Sequence, residues 1–168
     1  MSTPRLYVGT YAKYNSGSIK GAWLDLDDYS DKDAFLEACK ELHKDEADPE
    51  LMFQDFEGFP RSYYSESSVS EELFAWIALD EDDRQLLEVY RENVDSDADI
   101  DRARDAFMGK ADTKAEFAAQ YLDDTCAFDG VPDWVKNYFD YEAYARDMEH
   151  DGITFARHDG DLWVFSND

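Results

Sequence analysis

Apolar positions return along this chain with two different periods, and the change of period divides it. Residues 5–12 (RLYVGTYA) and 19–26 (IKGAWLDL) are rich in β-branched and aromatic side chains, and the intervening KYNSGS offers turn chemistry, which predicts two strands. From Asp31 to Lys44 the apolar residues Phe35, Leu36, Cys39 and Leu42 recur at helical spacing. Acids occupy the first turn and lysines the last, as the helix dipole prefers. ELMFQDFEGF, residues 50–59, lies between Pro49 and Pro60 and predicts a third strand, which closes a ββαβ-like unit near Pro60.

From Ser70 onward the pattern turns helical. SEELFAWIAL, EDDRQLLEVYREN, ADIDRARDAFMGK and DTKAEFAAQYLDD predict short amphipathic helices, with Ser70, Glu72, Asp80 and Asp83 placed to satisfy free N–H groups at helix starts. Pro132 opens DWVKNYFDYEAYARDMEH, where Trp134, Tyr138, Tyr141, Ala145 and Met148 recur every three or four residues and predict one helix with one apolar stripe. The last residues, GITFARHDGDLWVFSND, predict two strands joined by a two-residue Asp-Gly turn. The fold class expected from these patterns is α+β.

Charge changes the picture more than length does. The 168 residues carry 41 Asp plus Glu against 16 Lys plus Arg, a formal charge of −25, and the pI is about 4.1. So acidic a chain is disordered when it lacks aromatic residues, but this one has 4 Trp, 11 Tyr and 11 Phe, and a folded protein is expected. Its charge repels nucleic acid and anionic membranes, which excludes both as partners, and attracts basic proteins or cations. Two cysteines cannot form a secreted disulfide framework, and MSTPRLYVGTYAKY carries no basic-then-apolar leader, so a reducing, cytoplasmic setting is expected.

Candidate chemistry is sparse. Asp95, Asp97, Asp99 and Asp101 alternate like the first ligands of a calcium loop, but position 6 is Ile100 and position 12 Ala106; starting at Asp97 gives Arg102 and Met108 instead. No metal or cofactor is expected. His43, His150 and His158 are never paired at helical ligand spacing and read as ordinary surface histidines. No phosphate loop or nucleophile elbow is present, and among 41 acids any pair can be drawn as a catalytic dyad, so no catalytic residue is assigned.

The patterning of the acids is more informative. If residues 81–99 follow one helical path, Glu81, Glu88, Glu92, Asp95 and Asp99 share a face, and Asp133, Asp140 and Asp147 stand a heptad apart. Each like-charged i, i+4 pair costs a few tenths of a kcal/mol, so the arrangement gives up stability for something. Duplex DNA carries one negative charge per about 1.7 Å, so 25 charges correspond to roughly 40 Å of duplex. The reading is a DNA-shaped decoy for a DNA-binding enzyme. The alternatives are halophile-type acid enrichment, a calcium-stabilised acidic protein and an acidic hydrolase.

Three separated blocks, YVGTYAKYNSGSIKGAWLDL, HKDEADPELMFQDFEG and DWVKNYFDYEAYARD, give the chain a resemblance to the ArdA antirestriction proteins, DNA mimics of mobile genetic elements that inhibit type I restriction-modification enzymes. The resemblance implies an elongated α+β chain of three small domains, divided here as 1–61, 62–103 and 104–168, and a homodimer formed through the last. It also implies that the target is the specificity and methyltransferase core of the type I enzyme. The third block resembles the family's antirestriction motif at Trp134, Val135, Tyr138, Phe139, Asp140, Tyr141 and Tyr144, aromatic residues suited to dimer or core packing. The target-facing residues are then the spread acids: Asp80, Glu81, Asp82, Asp83, Glu88, Glu92, Asp95, Asp97, Asp99, Asp101, Asp105, Asp112, Glu116, Asp123, Asp124, Asp133, Asp140 and Asp147.

Overall fold

The computed structural model describes residues 2–167, and the chain folds into two compact α+β units, Met1–Asp80 and Glu81–Asp168. In the first, β1 (Arg5–Thr10) lies between β2 (Ala22–Asp25) and β3 (Leu51–Glu57), antiparallel to both. The expected first strand stops two residues early. The Thr10 side chain accepts from the Lys13 N–H at 3.3 Å and starts a short helix, α1 (Tyr11–Asn15). Helix α2 (Lys32–Leu42) forms where its spacing predicts, capped by Asp31, whose carboxylate accepts from the Ala34 N–H at 2.8 Å.

Its apolar face supplies Phe35 and Cys39 to a core with Leu6, Val8, Leu26 and Phe53, and Phe35 stacks on Phe53 with ring centroids 6.1 Å apart. Burial pushes the Cys39 thiol up to about 12, so it packs as a small hydrophobe. Helix α3 (Glu71–Ala78), capped by Ser70, places Leu73 and Trp76 in the interior.

The second unit is built on a sheet ordered β4 (Phe107–Ala111), β6 (Asp161–Ser166), β5 (Ile153–His158), all antiparallel. Side-chain alternation on β6 decides which helices lie on which face. Phe165 meets Tyr90 of α4 (Glu81–Asn93) edge-on at 5.2 Å and Phe107 at 5.6 Å. Val164, pointing the other way, packs with Phe117 and Ala118 of α6 (Lys114–Asp124) and Ala145 and Met148 of α7 (Tyr141–His150). The sheet is thus covered by α4 on one face and by α6 and α7 on the other, with α5 (Ile100–Ala106) beside α4. The β5–β6 turn is the expected Asp159-Gly160 pair, both residues at positive φ (50° and 87°) as a type I′ turn requires.

Two helical expectations fail here. The helix predicted through residue 110 ends at Ala106, and the next five residues become β4. Gly109 has φ +130°, outside the helical region, and pairing with β6 outweighs the weak helical preference of FMGK. The single helix predicted after Pro132 is divided into a 3-10 turn over Asp133–Tyr138 and α7, with extended backbone at Phe139. Asp140 causes the break, its side chain accepting from the Ala143 N–H at 3.0 Å to start α7 anew. The stripe divides with it. Ala145 and Met148 are buried and Tyr141 packs on their core, whereas Trp134 and Tyr138 are 64% and 82% exposed.

Candidate functional site: an acidic surface

Of the eighteen acids singled out in the sequence, sixteen are exposed and two, Asp83 and Asp95, are half-buried. Helix α4 places Glu81, Asp82 and Asp83 in its first turn, where free N–H groups favour negative charge, and Glu88 and Glu92 further along. At 3.6 residues per turn, Glu81, Glu88 and Glu92 fall within about 40° of one another around the axis. The single helical path expected over 81–99 is not formed, because α4 ends at Asn93. Asp95 instead accepts from the Asp97 N–H at 3.1 Å and pairs with Arg102 at 3.4 Å, while Asp99 caps α5 by accepting from the Arg102 N–H at 2.9 Å. Short polar side chains here serve turns and helix starts, which periodicity alone does not reveal. Likewise Asp133 and Asp140 sit on either side of the helix break and Asp147 within α7, so their heptad spacing does not make a common face.

Counter-charges are few and local. Arg104 bridges Asp83 and Asp101, Lys136 pairs with Asp123 at 3.4 Å, and Gln120 donates to Asp124 at 2.9 Å. Asp80 also has a partner. Ten of the acids make no side-chain hydrogen bond or ion pair among the described residues: Glu81, Asp82, Glu88, Glu92, Asp97, Asp105, Asp112, Glu116, Asp133 and Asp147. They form an unneutralised negative surface, and no group of three or more His, Cys, Asp or Glu among the described residues is placed to hold a metal ion.

The antirestriction-like motif separates into two parts. Phe139 contacts Tyr141 at 5.0 Å, Tyr144 at 6.0 Å and Phe128 at 5.3 Å, a half-buried aromatic cluster continuous with the α6–α7 core. Trp134 and Tyr138 stack edge-on at 6.1 Å in the open, with Val135 half-buried between them in sequence.

The two N-terminal family-like blocks meet in a polar clamp that the sequence reading missed. His43 is a buried residue and not a surface one. Its Nε2 donates to the Val8 carbonyl at 3.0 Å, and its Nδ1 accepts from Lys13 Nζ at 2.8 Å. Lys13 also reaches Asp45 at 3.0 Å and Glu46 at 3.2 Å, and the Thr10 hydroxyl donates to Glu46 at 2.6 Å. Burial works against the Lys13 charge, but hydrogen bonds to Asp45 and Glu46 outweigh it and hold the ammonium above its usual range. The Lys13 hydrogen bond lowers Asp45, and the Thr10 hydroxyl, followed by Lys13, lowers Glu46. The sequence signal was the pairing of Thr10-x-x-Lys13 with His43-x-Asp45-Glu46 across the two blocks.

Fold and site together define an acidic α+β protein whose chemistry-bearing surface is a field of unpaired carboxylates. The family model for the antirestriction protein ArdA matches residues 6–161, nearly the whole length, and the chain belongs to the ArdA antirestriction family. No individual curated protein matches it.

Proposed function

We propose that this protein is a DNA mimic that inhibits type I restriction-modification enzymes by occupying their DNA-binding groove, with the specificity and methyltransferase subunits as its contact. The observation that carries the reading is the set of ten exposed acids without counter-charges in a chain of the ArdA family. A surface left unneutralised at a cost in self-repulsion fits a partner that supplies the missing cations. No step of bond chemistry is needed: lysines and arginines that bind phosphates bind carboxylates by the same electrostatics, and prior occupancy excludes DNA. We further infer that Trp134 and Tyr138 are covered by a second copy in a homodimer, since so exposed an aromatic pair is unusual for a lone surface. The acting compartment under this reading is the cytoplasm, where restriction enzymes meet DNA.

Titrating the protein into an ATP-dependent cleavage reaction run by a purified type I enzyme tests the reading. Loss of cleavage at near-stoichiometric inhibitor, relieved by added DNA, is expected. Undiminished cleavage at large molar excess would overturn it. A fold that requires molar salt would favour halophile-type acidity, and turnover of a substrate would favour a hydrolase.

A further inference from the structure

Strand β4 carries a ladder on one side only. It pairs with β6, and β6 with β5, so among the described residues the far edge of β4 has no neighbouring strand. A side chain built on Gly109 would meet nothing within 4 Å, so the face of β4 at that residue is open as well. The register slips between Phe107 and Gly109, a bulge of the kind that blunts an edge without covering it.

A recess flanks this edge on each face of the sheet. On the α4 face, an open recess of about 370 Å³ lies beside buried Trp163 and half-buried Phe107, with Asp82 and Asp83 bordering it. On the α6 face, about 220 Å³ lies beside Phe117 and Tyr121, bordered by Glu116 and Asp124. Lys110, over the Trp163 ring at 3.9 Å, lines both. The Trp163 indole N–H is itself buried without an acceptor among the described residues.

We propose that the free edge of β4 is a strand-addition site for an extended segment of a partner protein that alternates arginine with small apolar residues. Successive side chains of an added strand point to opposite faces, so alternate residues enter the two recesses. The larger recess, with the Phe107 ring and the Asp82 carboxylate, which has no partner among the described residues, at its border, suits a guanidinium on an aliphatic stem. The smaller has room for a branched apolar side chain against Phe117 and Tyr121. Charge excludes an acidic segment. It also disfavours a second copy of this chain, which would set the same four carboxylates against themselves. The ladder hydrogen bonds distinguish this contact from phosphate mimicry, which uses none.

The test uses the full-length protein and a fluorescent extended peptide alternating arginine and valine, read by anisotropy and by hydrogen exchange. Binding that slows exchange at residues 107–111 is expected. Methylating the backbone nitrogens of the peptide, which leaves its charge intact, should weaken binding by about tenfold or more, as should Asp82→Lys. Equal binding of the methylated peptide, or protection confined to other strands, would overturn the proposal. So would protection of 107–111 that grows with protein concentration when no peptide is present, which would assign the edge to a second copy.

Discussion

Neutralising Glu81, Glu88 and Glu92 of α4 probes whether recognition is spread over many charges. The three lie eleven residue steps apart from first to last, about 17 Å at 1.5 Å per residue, where duplex DNA would carry about ten negative charges. These three acids alone therefore supply roughly a third of DNA's density, and the remainder must come from other acids. An exposed ion pair is worth about 0.2 to 1 kcal/mol, so Glu88→Gln should weaken binding to a type I methyltransferase by less than about tenfold. The triple Glu→Gln variant should lose about 0.6 to 3 kcal/mol, or roughly 3-fold to 150-fold, if the terms add. Each phosphate-like contact contributes about 0.9 to the slope of log affinity against log salt, so the triple variant should lower that slope by up to about 3. Among the described residues none of the three side chains has a hydrogen bond or ion pair to lose. Relief of the Glu88–Glu92 repulsion should leave the melting temperature equal or slightly higher. Equilibrium competition over a salt series, with circular dichroism as the folding control, reads all three quantities. A single substitution that abolished binding while the fold persisted would refute distributed recognition, and so would a triple variant that bound like the parent.

Replacing Trp134 and Tyr138 together with Ala should produce monomers whose melting temperature no longer rises with protein concentration, whereas Tyr141→Ala should lower stability at every concentration because its ring packs on the α6–α7 core; an intact dimer in the double variant by sedimentation would move the interface elsewhere. The clamp gives a pH dependence with a definite sign. Asp45 and Glu46 lie below their ordinary values of 3.8 and 4.5, so their contribution is present above those values and is lost as pH falls through the lowered folded ones. Lys13 lies above 10.5, so its contribution holds below that and disappears as pH rises through its raised value. Lys13→Met should therefore flatten both limbs of melting temperature against pH, and unchanged limbs would remove the clamp from the stability account. EDTA should leave binding to the methyltransferase unchanged when assayed without added metal, and a chelator-sensitive complex would reopen the Asp95–Asp101 run as a metal site.

Local signals made much of this fold legible. The capping residues Asp31 and Ser70 and the Asp159-Gly160 turn each act within three residues of chain, where sequence and geometry are tightly coupled. What was not legible depended on distant partners. FMGK leaves the helix for β4 because β6, more than fifty residues later, offers a ladder, and Asp140 interrupts an apolar stripe that periodicity alone would continue. His43 read as a surface residue because its partners, Val8 and Lys13, come from β1 and α1. The acids were legible as exposed, but the division between capping carboxylates such as Asp99 and unpaired ones such as Glu88 emerges only from the fold.

Displacement of labelled duplex DNA from a purified type I methyltransferase, followed from low to moderate salt, tests DNA mimicry most directly. Mimicry predicts that protein and DNA compete for one site and that the affinity of each falls linearly in log–log form as salt rises. A ternary complex in which the enzyme holds both at once, or inhibition indifferent to salt, would contradict it.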